Sequence, residues 1–217
     1  MKLGLSSVTK IFDKKILNNF TIDFKEGRTT VLLGPSGCGK TTITNLLLGI
    51  IKADAGEIIA DSTAKMSVVF QEDRLLENIT VLQNLLAVSK DEEICKDILN
   101  ALGIGEVANK YPNYLSGGMK RRVALARAIA FNGDIFILDE PFKGIDISLK
   151  QKVIEEIKRV IIGKTCVIIT HDIAEAVAVG DEVVILGGNP LIIQNTMTLE
   201  EAENPEKLII EYLECDF

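Results

Sequence analysis

The segment Gly34-Pro35-Ser36-Gly37-Cys38-Gly39-Lys40-Thr41-Thr42 constrains this chain more than any other. It carries the spacing G-x-x-x-x-G-K-[ST]. An apolar run at 31–33 precedes it and a helical pattern over 40–50 follows. A strand, a tight loop and a helix are therefore expected in that order. The glycines let successive backbone N–H groups curl around an anion without Cβ clashes. The helix points its positive end at the same place. Lys40 then reaches the outer phosphates of a nucleoside triphosphate, and the Thr41 hydroxyl offers an oxygen to Mg²⁺.

The rest of the chain reads as a sheet built around that loop. Continuous apolar runs of strand length recur at 67–70, 135–138, 166–170 and 183–186. Unbroken apolarity suits strands buried on both faces, as in a parallel sheet. Helical patterns at 116–131, 147–161 and 173–179 alternate with them, which predicts an α/β fold with a mainly parallel sheet. Residues 3–12 and 15–24 read as an antiparallel β subdomain, and 77–109 as a helical insert. The segment 205–213 reads as a short amphipathic helix covering a sheet edge.

Ligands of parallel sheets gather at the carboxyl ends of strands. Asp139 and Glu140 close the run at 135–138, and His171, the one histidine, follows 166–170. Asp139 suits Mg²⁺, Glu140 is placed to polarise an attacking water, and His171 to meet a terminal phosphate.

Composition excludes other classes. With 31 acidic against 24 basic residues the net charge is −7, so no overall basic field draws a nucleic acid. Mean hydropathy is slightly positive at +0.24. Still, no apolar run approaches the roughly 18 residues of a bilayer span. The opening residues have no signal-peptide layout. Cys38, Cys95, Cys166 and Cys215 are scattered without a CxxC pair, so they read as reduced thiols of a cytoplasmic protein. Cys215 stands one place short of a prenylation box.

Asn109-Lys110-Tyr111-Pro112 lacks the Asp of a GTPase motif. Leu115-Ser116-Gly117-Gly118-Met119-Lys120-Arg121-Arg122 leads into a helix, and is similar to the signature motif of ABC ATPases. Physically it is a second anion site: Ser116 caps the helix, and Gly117 and Gly118 let amides approach a phosphate. The resemblance covers nearly the whole chain. It implies that Gln71 is the Q-loop glutamine and shares the Mg²⁺ site with Thr41 and Asp139. Asp146 becomes the D-loop aspartate and His171 the switch-loop histidine. Phe12 takes the place of the aromatic that stacks on adenine. One ABC ATPase domain is expected over 1–217. Residues 1–76 and 130–217 form its nucleotide-binding core, and 77–129 its helical subdomain.

The resemblance also implies ATP and Mg²⁺ as cofactors and a head-to-tail pair of ATPase subunits. In that pair each ATP lies between Lys40 of one copy and Ser116 and Gly118 of the other. The stretches 69–76 and 139–144 look similar to importer ATPases of the nitrate/sulfonate/taurine type. Integral membrane permease subunits, docking near 71–87, and indirectly an external solute-binding protein are the implied partners. The implied location is the cytoplasmic face of the cell membrane. A soluble ABC ATPase serving as an assembly scaffold is the other reading. The short stretch between Gly56 and Met66 points to a trimmed hairpin, and the chain end leaves no room for a regulatory domain. Lys120-Arg121-Arg122, Glu92-Glu93 and Glu200-Glu201 read as solvated faces.

Overall fold

A computed structural model describes residues 2–214, and Cys215 lies outside them. The first elements are β1 (Leu3–Ile11), β2 (Lys15–Phe24), β3 (Thr29–Leu33), α1 (Lys40–Leu47), β4 (Ala55–Ala60) and β5 (Met66–Val69). Then come α2 (Val81–Leu86), α3 (Glu92–Ala101), α4 (Gly117–Phe131), β6 (Ile135–Asp139) and α5 (Ile147–Ile161). The chain closes with β7 (Thr165–Thr170), α6 (Ile173–Val179), β8 (Glu182–Gly187), β9 (Ile192–Thr198) and α7 (Pro205–Glu214). Two compact units divide these elements: one runs to Ala64 and resumes at Gly163, the other spans Lys65–Ile162.

In the first unit β3 is wholly buried and lies between β7 and β8, parallel to both. Its apolar run at 31–33 suits a strand covered on both faces, and Thr29 and Thr30 are buried with it. Antiparallel β9 continues from β8. A separate antiparallel sheet has the order β2-β1-β4. Helix α7 packs on α6, with Ile209 fully buried, where a sheet edge was expected beneath it.

In the second unit β5 and β6 pair in parallel. Helix α2 opens with a capping box, the Thr80 hydroxyl accepting from Gln83 N while the Gln83 side chain accepts from Thr80 N. Such a cap contributes about 0.5–2 kcal/mol. Helix α5 buries Val153, Ile154, Ile157 and Ile161, the spacing of one helical face. Phe136 and Phe142 are fully buried on either side of Asp139 and Glu140. Truncating either to alanine costs about 3–5 kcal/mol. The acids thus stand on a rigid base.

The expected α/β architecture is observed, with an antiparallel N-terminal sheet and a helical insert. Strands β4 and β9 go beyond the sequence reading. In β4 no residue is buried, so it lacks an apolar signature. In β9 polar Gln, Asn and Thr mask the alternation that burial reveals.

Candidate functional site

In the first unit the loop after β3 has the glycine geometry its sequence predicts. Gly37 and Gly39 hold φ of 78° and 119°, a region costly for residues bearing a Cβ. Gly39 is also the N-cap of α1, whose first turn carries no acid. Gly34 lets the loop leave the sheet close to β8, where a Cβ would collide with the Leu186 carbonyl oxygen. Pro35, Ser36 and Gly37 are exposed, Cys38 is half-buried, and Thr41 and Thr42 follow Lys40 in the first turn of the helix.

Lys40 is only 6% exposed, and its Nζ donates to the carbonyls of Gly34 (2.6 Å) and Pro35 (2.7 Å). It also lies 3.9 Å from Cys38 Sγ. The two carbonyls are neutral acceptors. A buried ammonium held by neutral groups, beside an uncapped helix start, fits an incoming anion.

Register carries His171 to the same rim. Leu33 pairs with Thr170, so Gly34 and His171 leave the carboxyl ends of adjacent parallel strands. His171 is exposed. Beyond it, the Asp172 side chain caps α6 at Glu175 N (3.1 Å), and Thr170 Oγ1 donates to the buried Glu175 carboxylate (2.6 Å). Phe12 sits between β1 and β2, 54% exposed, with Lys10 Nζ 5.2 Å from its ring centre.

The second unit gathers the other predicted residues. Val69 pairs with Leu138, so Gln71 and the acids Asp139 and Glu140 leave neighbouring strand ends. Asp139 and Glu140 are buried, at 4% and 9% exposure. Glu140 holds φ of 51°, a strained conformation for a residue with a long side chain. Such strain clusters at functional positions. A buried carboxylate at a strand end supplies the hard oxygen donor that Mg²⁺ prefers.

Ser116 caps α4 as expected, accepting from Met119 N at 3.3 Å. Gln71, Ser116, Gly117, Gly118 and Asp146 line one open hollow of about 550 Å³. Asp73, Arg121, Lys143 and Gly144 complete its wall. The Gly144 carbonyl oxygen occupies the space a Cβ on Gly118 would need. Lys143 adds a cation to this hollow that sequence reasoning had not singled out.

The basic run after the signature needs correction. Arg121 and Arg122 are 4% and 5% exposed, so they form no solvated face. Arg122 donates to the carbonyls of Leu102 (3.1 Å) and Gly103 (2.8 Å), closing the end of α3. Arg121 donates to the carbonyls of Phe70 (2.7 Å) and Gln71 (2.6 Å). The five N–H donors of a guanidinium meet several buried carbonyls at once, which is why two arginines tolerate burial here. Glu92 and Glu93 are exposed as expected. Burial pushes the Cys95 and Cys166 thiols up.

A phosphate loop on a parallel sheet, with acids at a strand end, defines a P-loop nucleoside triphosphatase. The added Ser-Gly-Gly helix start narrows the class to ATP-binding cassettes. The ABC transporter family model matches residues 17–143. The spermidine/putrescine import ATP-binding protein PotA of Aliivibrio fischeri is 33% identical over 96% of this chain. The match takes in 61% of that relative, so the chain spans about three fifths of its length. An uncharacterized ABC transporter ATP-binding protein of Methanocaldococcus jannaschii is 32% identical over 99% of this chain and 88% of its own. Among solved structures, the dimeric post-hydrolysis cassette MJ0796 bound to ADP and Pi superposes with a TM-score of 0.81 at 28% identity. It covers 91% of this chain and 98% of its own. An ATP-binding subunit of an ABC transporter shares the fold, with a TM-score of 0.84 at 20% identity over 98% of this chain and its whole length. The chain belongs to the ABC transporter ATP-binding family and is an ABC ATPase domain.

Proposed function

We propose that this chain binds and hydrolyses ATP as one of a head-to-tail pair and thereby energises solute import through a membrane permease. One observation carries the reading: the chain has two anion-type helix starts, at Lys40 and at Gly117, each in its own compact unit. A single triphosphate needs one such site. The second suits the nucleotide of another copy, and a two-fold pair makes two equivalent sites.

In this reading Phe12 stacks on adenine, and Gly34 to Thr42 hold the phosphates. Thr41, Gln71 and Asp139 hold Mg²⁺, which spreads the charge of the phosphate oxygens when bound. Glu140 polarises the attacking water, with His171 at the terminal phosphate. Ser116, Gly117, Gly118 and Asp146 serve the nucleotide of the other copy. The domain is one cassette, with 77–129 as its helical subdomain between core segments 1–76 and 130–217.

The importer assignment is supported by relatives named for spermidine/putrescine import. The likeness of 69–76 and 139–144 to the nitrate/sulfonate/taurine type points to another solute, and permease and binding-protein chains select between them. No helix among the described residues is long and apolar enough to cross a membrane. In this reading permease subunits hold the cassette on the inner face of the membrane.

The test is ATP hydrolysis by the purified chain, followed by native purification. Turnover and co-purification with an integral membrane complex are expected. An active enzyme with cytosolic partners alone would replace the importer reading with the assembly-scaffold one.

A further inference from the structure

The segment after β5 has no regular structure from Phe70 to Leu76, yet its backbone is gripped from one side. Arg121 donates Nη1 to the Phe70 carbonyl (2.7 Å) and Nη2 to the Gln71 carbonyl (2.6 Å). Six residues further along α4, Arg127 donates Nη2 to the Asp73 carbonyl (3.2 Å) and Nη1 to the Arg74 carbonyl (2.9 Å). Two guanidinium forks thus hold four carbonyls of one short loop. Arg121 Nε also lies 3.3 Å from Asp73 Oδ1, and the Arg74 guanidinium stacks on the Phe70 ring at 3.9 Å. Loop carbonyls ordinarily turn to water and leave the backbone mobile. Here the loop is fastened to a helix.

That helix begins at the signature. Ser116 caps α4 and Arg121 follows five residues later, about 7.5 Å along the axis at the helical rise. We infer that Arg121 and Arg127 are positioning residues that lock the Gln71 loop to the signature helix, so that Gln71 and Ser116 move as one piece. The inference deepens the ATPase reading and rests on it. The carbonyl of Gln71 is fixed by Arg121, and that fixes the direction in which the Gln71 side chain leaves the backbone. A phosphate drawing on the amides at Gly117 and Gly118 therefore also sets the place of Gln71. Lysine carries its donors on one nitrogen at the end of a flexible stem and lacks the rigid planar fork, so it does not reproduce the paired hold of Arg121 on the Phe70 and Gln71 carbonyls.

The experiment uses the full chain as wild type, Arg121→Gln, Arg121→Lys, Gln71→Ala and the double variant Arg121→Gln/Gln71→Ala. Hydrogen exchange over peptides covering 70–76, without nucleotide, reads the grip directly. Exchange is expected to rise about 10-fold in Arg121→Gln and Arg121→Lys, with β6 peptides unchanged. ATP turnover reads the consequence. Arg121→Gln is expected to lower kcat about 10-fold while KM changes less than about 3-fold. In the Gln71→Ala background the same substitution is expected to cost less than about 2-fold, because its effect passes through Gln71. Unchanged exchange, or an equal loss in both backgrounds, overturns the inference. If Arg121 variants do not fold, Arg127→Gln takes their place, read by exchange and by tryptic cleavage after Arg74. Cleavage no faster than wild type overturns the inference there too. A wild type with no turnover refutes the ATPase reading, and the exchange result then decides the grip.

Discussion

The carbonyl oxygen of Gly144 stands where a β-carbon on Gly118 would be. The turn after Glu140 and the first turn of α4 are in backbone contact, and only glycine permits it. Gly118→Ala must push the two apart, an overpacking cost of about 1–3 kcal/mol. ATP affinity at the Lys40 loop is expected to stay within about 3-fold, while turnover falls about 10-fold or more. Fluorescent-nucleotide titration and a phosphate-release assay separate the two. Equal loss of both would place Gly118 outside the proposed role.

Lys40 is the buried cation of the phosphate loop. Lys40→Ala is expected to weaken ATP binding about 100-fold, the range of one or two charge-assisted hydrogen bonds. Calorimetric titration measures it. An affinity within about 3-fold of wild type would mean that the triphosphate sits elsewhere.

Glu140→Gln keeps the shape of the side chain and removes its basicity. Turnover is expected to fall about 100-fold or more, with ATP binding intact. The variant should accumulate as an ATP-bound pair in light scattering after gel filtration. A monomer at saturating ATP contradicts the head-to-tail arrangement.

Asp73 gives a pH signature. Burial outweighs the attraction of Arg121, Lys120 and Arg127 and holds its carboxyl above the ordinary 3.8. Arg121 Nε is near enough to attract, but Asp73 Oδ1 receives no aligned hydrogen bond. An acid whose folded pKa is raised binds its proton more tightly folded than unfolded. Stability then falls as pH rises from about 3.8 through the folded value. Asp73→Asn removes that loss. It should melt above wild type near pH 7, with the difference closing toward pH 4. Melting midpoints across that range check it, and a variant melting lower at neutral pH would contradict the sign.

Cys38 is half-buried inside the loop, whereas Cys95 and Cys166 are fully buried. N-ethylmaleimide should modify Cys38 ahead of those two and abolish ATP binding by filling the cradle. ATP should protect it. Peptide mapping identifies the site, and full affinity after complete modification would count against the loop as the phosphate site.

The parts of this protein with strong local chemistry were readable from sequence. Gly37 and Gly39 announce their backbone, and the buried runs of β3, β6 and β7 announce their strands. Helix α5 was placed to the residue by its apolar spacing. What escaped was set by distant partners. Strand β4 exists because β1 offers it an edge, not because its residues are apolar. Arg121 and Arg122 look like surface charges until the carbonyls at Phe70, Gln71, Leu102 and Gly103 are brought to them. No count along the chain reports that meeting. The strain at Glu140 was likewise invisible, since nothing in Asp139-Glu140-Pro141 marks a positive φ.

Lys40 closes on the carbonyls of its own loop. An arriving anion must displace those contacts as well as shed its water. A chain of phosphates can replace both carbonyls with one of its groups and engage the helix start with another. The loop is its own stopper: the lysine that would greet the ligand first holds the loop in shape without it.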